Sequence, residues 1–281
     1  MNHPNPIFRP LYLLLLIVFL LTGTQSNIQA QTTGKYSYPD HPNGKYFKSY
    51  LTLSKNLVTS PVRWGKKEWI TAGGVATAGV LLYVYDDQIR GVFQRNQSTA
   101  FTQISKYGLE PWGSGLYPAM LMGGFYIYGW VANDPTSRQI ALGGTQAWVM
   151  SAVTVMIIKN LTHRHRPYQD LPANPRLWEG PFKGMEYTSF PSGHTITAFS
   201  LASFLSSAYR DKPWVGIVSY TIATGVGISR LYDDQHWSSD VFIGAALGYG
   251  IGKLVFSMMN PESNLSMQVG SEGGIGLVYK F

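Results

Sequence analysis

Six apolar segments, each about 15–20 residues long by their periodicity, constrain this chain more than any other feature. They cover residues 69–85, 113–132, 140–158, 195–209, 213–228 and 240–259. Alanine, glycine, serine and threonine recur in them, with paired glycines at 73–74, 123–124 and 143–144. Such small residues let helix backbones approach closely, in membranes especially. The expected fold is therefore all-α, a helical bundle of about six core helices. A mean hydropathy of −0.03 is low for a chain built mostly of membrane spans, so the same segments also suit a tightly packed soluble bundle. With 45% apolar and 13% charged residues the chain is not intrinsically disordered. It has no cysteine, which excludes a disulfide framework, thiolate metal sites and a cysteine nucleophile. The net charge of +7 points to anionic partners without saying where they bind.

The two ends differ from the middle. Arg9 is the only charged residue among the first thirty, and an unbroken apolar run follows at 11–21. Polar residues then lead to Ala30, the pattern of a secretory signal peptide over 1–30. The run is shorter than the ~20 residues that cross a bilayer core. Residues 31–67 form a polar, basic segment in which Phe47, Tyr50, Leu51, Leu57 and Val58 fall at helical spacing. Residues 68–260 hold all six apolar segments and are expected to form one helical domain. In the tail, 261–281, apolar and polar residues alternate on either side of Ser271-Glu272-Gly273-Gly274, the pattern of a short C-terminal β-hairpin.

Three clusters of basic and histidine residues stand at the ends of apolar segments. In the first, Lys159 and Arg166 are seven apart, two turns of a helix, and Pro167 is expected to stop that helix. Two cations on one face suit an oxyanion, with arginine adding a forked grip; a snorkelling basic rim would look the same. In the second, Pro191-Ser192-Gly193-His194 precedes an apolar segment. Ser192 is the expected N-cap there, and a helix N-terminus presents free N–H groups to an anion. In the third, Ser229-Arg230 is followed by His236 and Asp240, facing neighbours if both lie on one helix. A carboxylate on one imidazole nitrogen leaves the other free as a nucleophile, although a surface ion pair has the same spacing. His163 and His165 alternate, which would place them on different sides of a helix, and no metal site is expected.

In this order the clusters resemble the three-part signature of the type 2 phosphatidic acid phosphatase (PAP2) and vanadium haloperoxidase superfamily: K-x6-R-P, P-S-G-H and S-R-x5-H-x3-D. Lys159, Arg166, Pro167, Pro191, Ser192, Gly193, His194, Ser229, Arg230, His236 and Asp240 fill every defining position. The resemblance implies that Lys159, Arg166 and Arg230 bind the phosphoryl oxygens with the Ser192 hydroxyl and the Gly193 N–H. It implies that His236 attacks phosphorus to form a phosphohistidine, with Asp240 orienting it. His194 would protonate the leaving oxygen and later activate water. No cofactor is implied for a phosphatase of this kind. Vanadate would be needed only for the alternative, a haloperoxidase, and the 34 residues between His194 and Ser229 resemble the shorter spacing of the phosphatases. A soluble periplasmic acid phosphatase is a further alternative.

The expected partners are a phosphorylated lipid or a small phosphoester, with membrane association and no nucleic acid. The expected location is the cell envelope, with the site facing the periplasm. The count of segments resists this. If 69–85, 113–132 and 140–158 all span, Lys159 lies on the side opposite the mature N-terminus.

Overall fold

The computed structural model describes residues 35–181, 183–184 and 186–260, together with the backbone of 265–269 and 275–279. The signal peptide expected over 1–30 lies outside them. Among the described residues every element before 261 is a helix, and the long link at 163–192 between two of them is not helical. Helix α1 (Gly44–Thr59) leads through a short 3-10 turn to α2 (Lys66–Val84) and α3 (Asp86–Arg95). The short helices α4 (Thr99–Gln103) and α5 (Glu110–Gly113) flank a π-helical turn. Then follow α6 (Leu116–Val131), α7 (Pro135–Thr162), α8 (Gly193–Ala208), α9 (Pro213–Tyr232) and α10 (Ser238–Met259). The six apolar segments correspond to α2 and α6–α10. Strands β1 (Leu265–Val269) and β2 (Ile275–Tyr279) pair antiparallel, with Met267 opposite Leu277.

The closest packing is between α8 and α10, and glycine permits it. A Cβ on Gly248 would lie 2.5 Å from the Ile196 carbonyl oxygen, and one on Gly252 would overlap that of Ser200. The two backbones are therefore in contact, and Ser203 Oγ reinforces the seam by donating to the Tyr249 carbonyl at 2.9 Å. Phe125, Ala147, Ile196, Phe204, Val255 and Met259 fill the centre and are fully buried.

Residues 35–38 are pinned to the end of the bundle where α7 begins. Gln139 Nε2 donates to the Tyr36 and Tyr38 carbonyls, and the Tyr38 hydroxyl donates to Gln146 Oε1 at 2.6 Å. The Tyr36 hydroxyl donates to Ala208 O at the end of α8. Two glutamines buried in α7 are thereby satisfied, as buried polar groups must be. Helix α1 forms where the apolar spacing predicts it. Of the five residues at that spacing Tyr50 and Leu57 pack against the core while Phe47, Leu51 and Val58 are exposed, and Tyr46 and Leu53 are its buried residues. Tyr46 sets the rotation of the helix, since its hydroxyl bonds the Leu142 carbonyl as well as Tyr50.

From that end α2 rises to Tyr83, beside Trp178 and Arg164. Helix α6 descends, α7 rises, α8 descends, α9 rises and α10 descends. All three basic clusters therefore gather at the end opposite residues 35–38. Among the described residues two helices are long and apolar enough to cross a membrane, α7 and α10. Broad apolar surface also lies open on other helices, including Trp69, Ile70, Val80 and Leu81 on α2, and Ile127, Trp130 and Val131 on α6.

Candidate active site

The first cluster departs from its expected geometry. Helix α7 stops at Thr162, five residues before Pro167, because His163 takes a left-handed conformation (φ 44°) and its N–H bonds the Lys159 carbonyl. Lys159 and Arg166 thus do not share a helical face. Arg166 sits in the following loop, its backbone N–H donating to Gln169 Oε1 and its guanidinium to Gln235 Oε1 (2.7 Å) and Thr188 Oγ1 (3.3 Å). The loop carries Arg166 back toward Lys159, close enough for the two cations to repel. His163 and His165, not on a helix, pin this loop. The His163 ring nitrogens face the Gly180 and Gly184 carbonyls; those of His165 face Asp170 and Glu179, with the ring stacked 3.8 Å above Tyr187.

Ser192 is the N-cap of α8 in position but not in bonding. Its hydroxyl accepts from Thr195 Oγ1 at 2.9 Å, and its backbone N–H donates to the Asp240 carbonyl at 3.1 Å. That last bond ties the start of α8 to the start of α10. Lys159 reaches the same point, its Nζ 3.8 Å from where a Gly193 Cβ would be. His194 follows, packed so closely against α5 that a Cβ at Gly113 would lie 2.5 Å from its Cβ and 2.6–2.8 Å from its ring.

Arg230 ends α9, its Nη2 donating to Asp233 Oδ2 at 2.8 Å. Ser105 of the π-helical turn donates to the same oxygen at 2.6 Å. His236 lies in the link between α9 and α10, ahead of the helix that holds Asp240, so the pair is not the on-helix neighbour pair expected. Its Nδ1 is 3.8 Å from Asp240 Oδ2, beyond hydrogen-bond length. His236 Nδ1 and His194 Nε2 are the buried side-chain atoms without a hydrogen-bond partner among the described residues. Burial, with Lys159 and Arg166 adding to it, pushes the His236 imidazole down to about 4 against the pull of Asp240. The ring is therefore neutral at pH 7, with a lone pair available.

Asp240 explains the gap. Its Oδ2 already accepts from Ser189 Oγ at 2.5 Å and the Trp237 N–H at 3.0 Å, and its Oδ1 from Arg164 Nη1 at 2.5 Å. Arg164, Asp86 and Ser189 were not singled out in the sequence. Arg164 lies inside the first cluster and Ser189 two residues before the second, but nothing local marked Asp86, far upstream, as the partner of Arg164. All the proposed site residues converge: Lys159, Arg166, Ser192, Gly193, His194, Arg230, His236 and Asp240 come from four helix ends and two links at one end of the bundle. Three cations around two unpartnered imidazoles form a site for a tetrahedral oxyanion.

A profile of the PAP2 superfamily matches residues 144–263. A decaprenylphosphoryl-5-phosphoribose phosphatase of Mycobacterium tuberculosis is 30% identical over 132 residues, 47% of this chain and 68% of that protein. The chain belongs to the PAP2 superfamily. A lipid A 1-phosphatase of Porphyromonas gingivalis is 44% identical over 72 residues, 25% of this chain and 16% of that one. Aquifex aeolicus LpxE, a crystal structure, aligns over 61% of this chain and 94% of its own at 23% identity, with a TM-score of 0.44. The chain spans less than two thirds of the length of the first curated relatives it matches. In this PAP2 protein the profile covers every basic cluster of the site.

Proposed function

We propose that this PAP2 protein is a metal-independent phosphatase that hydrolyses a phosphomonoester or pyrophosphate carried on a lipid, through a phosphohistidine. The observation that carries the reading is the burial of His236 beside Lys159 and Arg166 with its Nδ1 turned to Asp240. That orientation leaves Nε2 to attack. Phosphoryl transfer asks mainly for positioning and for charge spread over three oxygens. Lys159, Arg166 and Arg230 supply that charge, with the Ser192 hydroxyl and Gly193 N–H as further donors. His236 attacks in line and takes the phosphoryl group while the bond to the leaving oxygen breaks. His194 protonates that oxygen, then takes a proton from the water that releases phosphate.

The lipid part of the reading is supported by the relatives named as lipid A and decaprenylphosphoryl-5-phosphoribose phosphatases, and by the apolar surface of the bundle. We place residues 68–260 as the catalytic domain, preceded by the polar segment 31–67 and an export signal over 1–30. The site is taken to face the periplasm. Residues 35–38 lie at the end of the bundle opposite the site, so a cleaved export signal with a periplasmic site fits a bundle that lies wholly in the periplasm. Six spanning helices with a periplasmic site instead require residues 35–38 to be cytoplasmic and the 1–30 segment not to carry them across. Carbonate extraction of membranes separates these arrangements: release into the soluble fraction rejects the spanning one.

The activity is tested by phosphate release from lipid phosphates, an isoprenoid pyrophosphate and soluble phosphoesters, without added metal. Wild type is expected to prefer the lipid substrates and His236→Ala to release no phosphate. Near-normal release by that variant would remove His236 as the nucleophile.

A further inference from the structure

Beneath the site lies a charged assembly that joins three distant parts of the chain. Asp86 opens α3, Arg164 lies in the loop after α7, and Asp240 is in the first turn of α10. Arg164 Nη2 donates to Asp86 Oδ2 at 2.7 Å and to the Pro175 carbonyl at 2.8 Å. Its Nη1 donates to Asp240 Oδ1 at 2.5 Å and Ser239 Oγ at 2.8 Å. Asp86 also accepts from Ser238 Oγ, the Ser239 N–H and Ser239 Oγ, at 2.6–2.9 Å. Tyr83, Trp178 and Trp237 enclose the guanidinium, their ring centroids 4.9–5.5 Å from its carbon. Arg164 is 1% exposed and both carboxylates 0%.

We propose that Asp86 and Arg164 are positioning residues that set the place and the charge of Asp240 and, through it, tune His236. This rests on the reading of His236 as the phosphoryl acceptor. One guanidinium serves two carboxylates, so the trio carries one net negative charge. Had Arg164 faced Asp240 alone, the pair would be neutral and the carboxylate would offer little to an imidazole that becomes cationic as it takes a phosphoryl group. Asp86 draws part of the guanidinium away and restores that charge. Arg164 and Ser189 meanwhile hold Asp240 about 1 Å beyond hydrogen-bond length from His236. The free nucleophile keeps its lone pair, and the bond to Asp240 is completed as the ring gains charge. The other ionisable groups facing His236 are Lys159 at the end of α7, Arg166 in the loop, His194 of α8 and Arg230 with Asp233 at the end of α9. None of them neutralises the trio's charge on the Asp240 side.

The test compares pH profiles of phosphate release by wild type, Asp86→Asn, Arg164→Gln and Ser189→Ala in detergent micelles containing the lipid phosphate cleaved best. Asp86→Asn is expected to lower kcat by between about ten- and a hundredfold, the scale on which a 1 Å misplacement acts, with KM unchanged and the acid limb of kcat/KM not raised. Arg164→Gln and Ser189→Ala each strip a donor from Asp240 and are expected to raise that limb by about one pH unit. A merely structural role would leave the limb in place. Thermal unfolding of each variant identifies those that fold, and Ser189→Ala, which removes only a hydroxyl, carries the test if a buried charge change does not fold. A wild-type profile in the folded variants, or a rise shared by Asp86→Asn and Arg164→Gln, overturns the proposal. An inactive wild type, or an active His236→Ala, overturns the phosphatase reading instead.

Discussion

Arg90 and Asp234 form a forked ion pair, Nε to Oδ1 and Nη2 to Oδ2, both at 2.7 Å. Arg90 stands on α3 and Asp234 in the link that carries His236, two residues before it. Asp234 has a left-handed backbone (φ 57°), tolerated by aspartate and asparagine better than by other side chains. The fork therefore ties the link that carries His236 to α3. Asp234→Asn keeps the backbone preference and loses the charge; Asp234→Ala loses both. We expect the alanine variant to be less stable by about 1–2 kcal/mol and the asparagine variant by less than about 1 kcal/mol, since the pair is partly exposed. Urea unfolding midpoints at constant slope check the order. Equal losses would show that the backbone strain counts for nothing.

Arg166 is oriented through Gln235 and Thr188, which fixes the plane of its guanidinium. Lysine would keep the charge but grip one oxygen at a time. Arg166→Lys is expected to cost about 1.5–3 kcal/mol of transition-state binding, a drop of between about ten- and a hundredfold in kcat/KM. An undiminished kcat/KM would take Arg166 out of the site.

The pH dependence follows from His236, pushed down to about 4 mainly by burial. In the proposed mechanism the neutral ring is the nucleophile, while His194, pushed down to about 3 by burial, must carry a proton to act as acid. So kcat/KM should rise as pH falls from 7 toward about 4 and decline below the folded value of His236. An exposed histidine would begin to fail near its ordinary ~6.5. A limb at that higher value, measured on substrate with no titration of its own in this range, would contradict the burial of the ring.

Gly252 is the tightest point of the α8–α10 seam, where a Cβ would overlap the Ser200 carbonyl. Because backbone and not a flexible side chain blocks the space, Gly252→Ala should destabilise the protein by about 1–3 kcal/mol and lower phosphate release by shifting Ser192 against Asp240. Gly250 faces open space inside the same helix, and the same change there should leave stability unharmed or raise it by up to about 1 kcal/mol. Thermal unfolding of the two variants, measured together, decides the point.

Much of this protein was legible in its residues. The apolar segments located α2 and α6–α10, since period and length are local properties. The three clusters named the basic and histidine residues that the fold brings together because each motif is contiguous. Sequence alone could not place Arg166, since helical spacing is informative only while the helix lasts, and His163 ends it early. It could not show that Asp240 belongs as much to Arg164 as to His236, nor that Asp86 supplies the balancing charge. Those relations join residues about 75–155 positions apart, and only the packing of α3, α7 and α10 brings them together. Chain order determined which chemical groups this protein possesses. Tertiary structure decided which carboxylate faces which cation, because a buried charge is held by whichever partner the fold puts within reach.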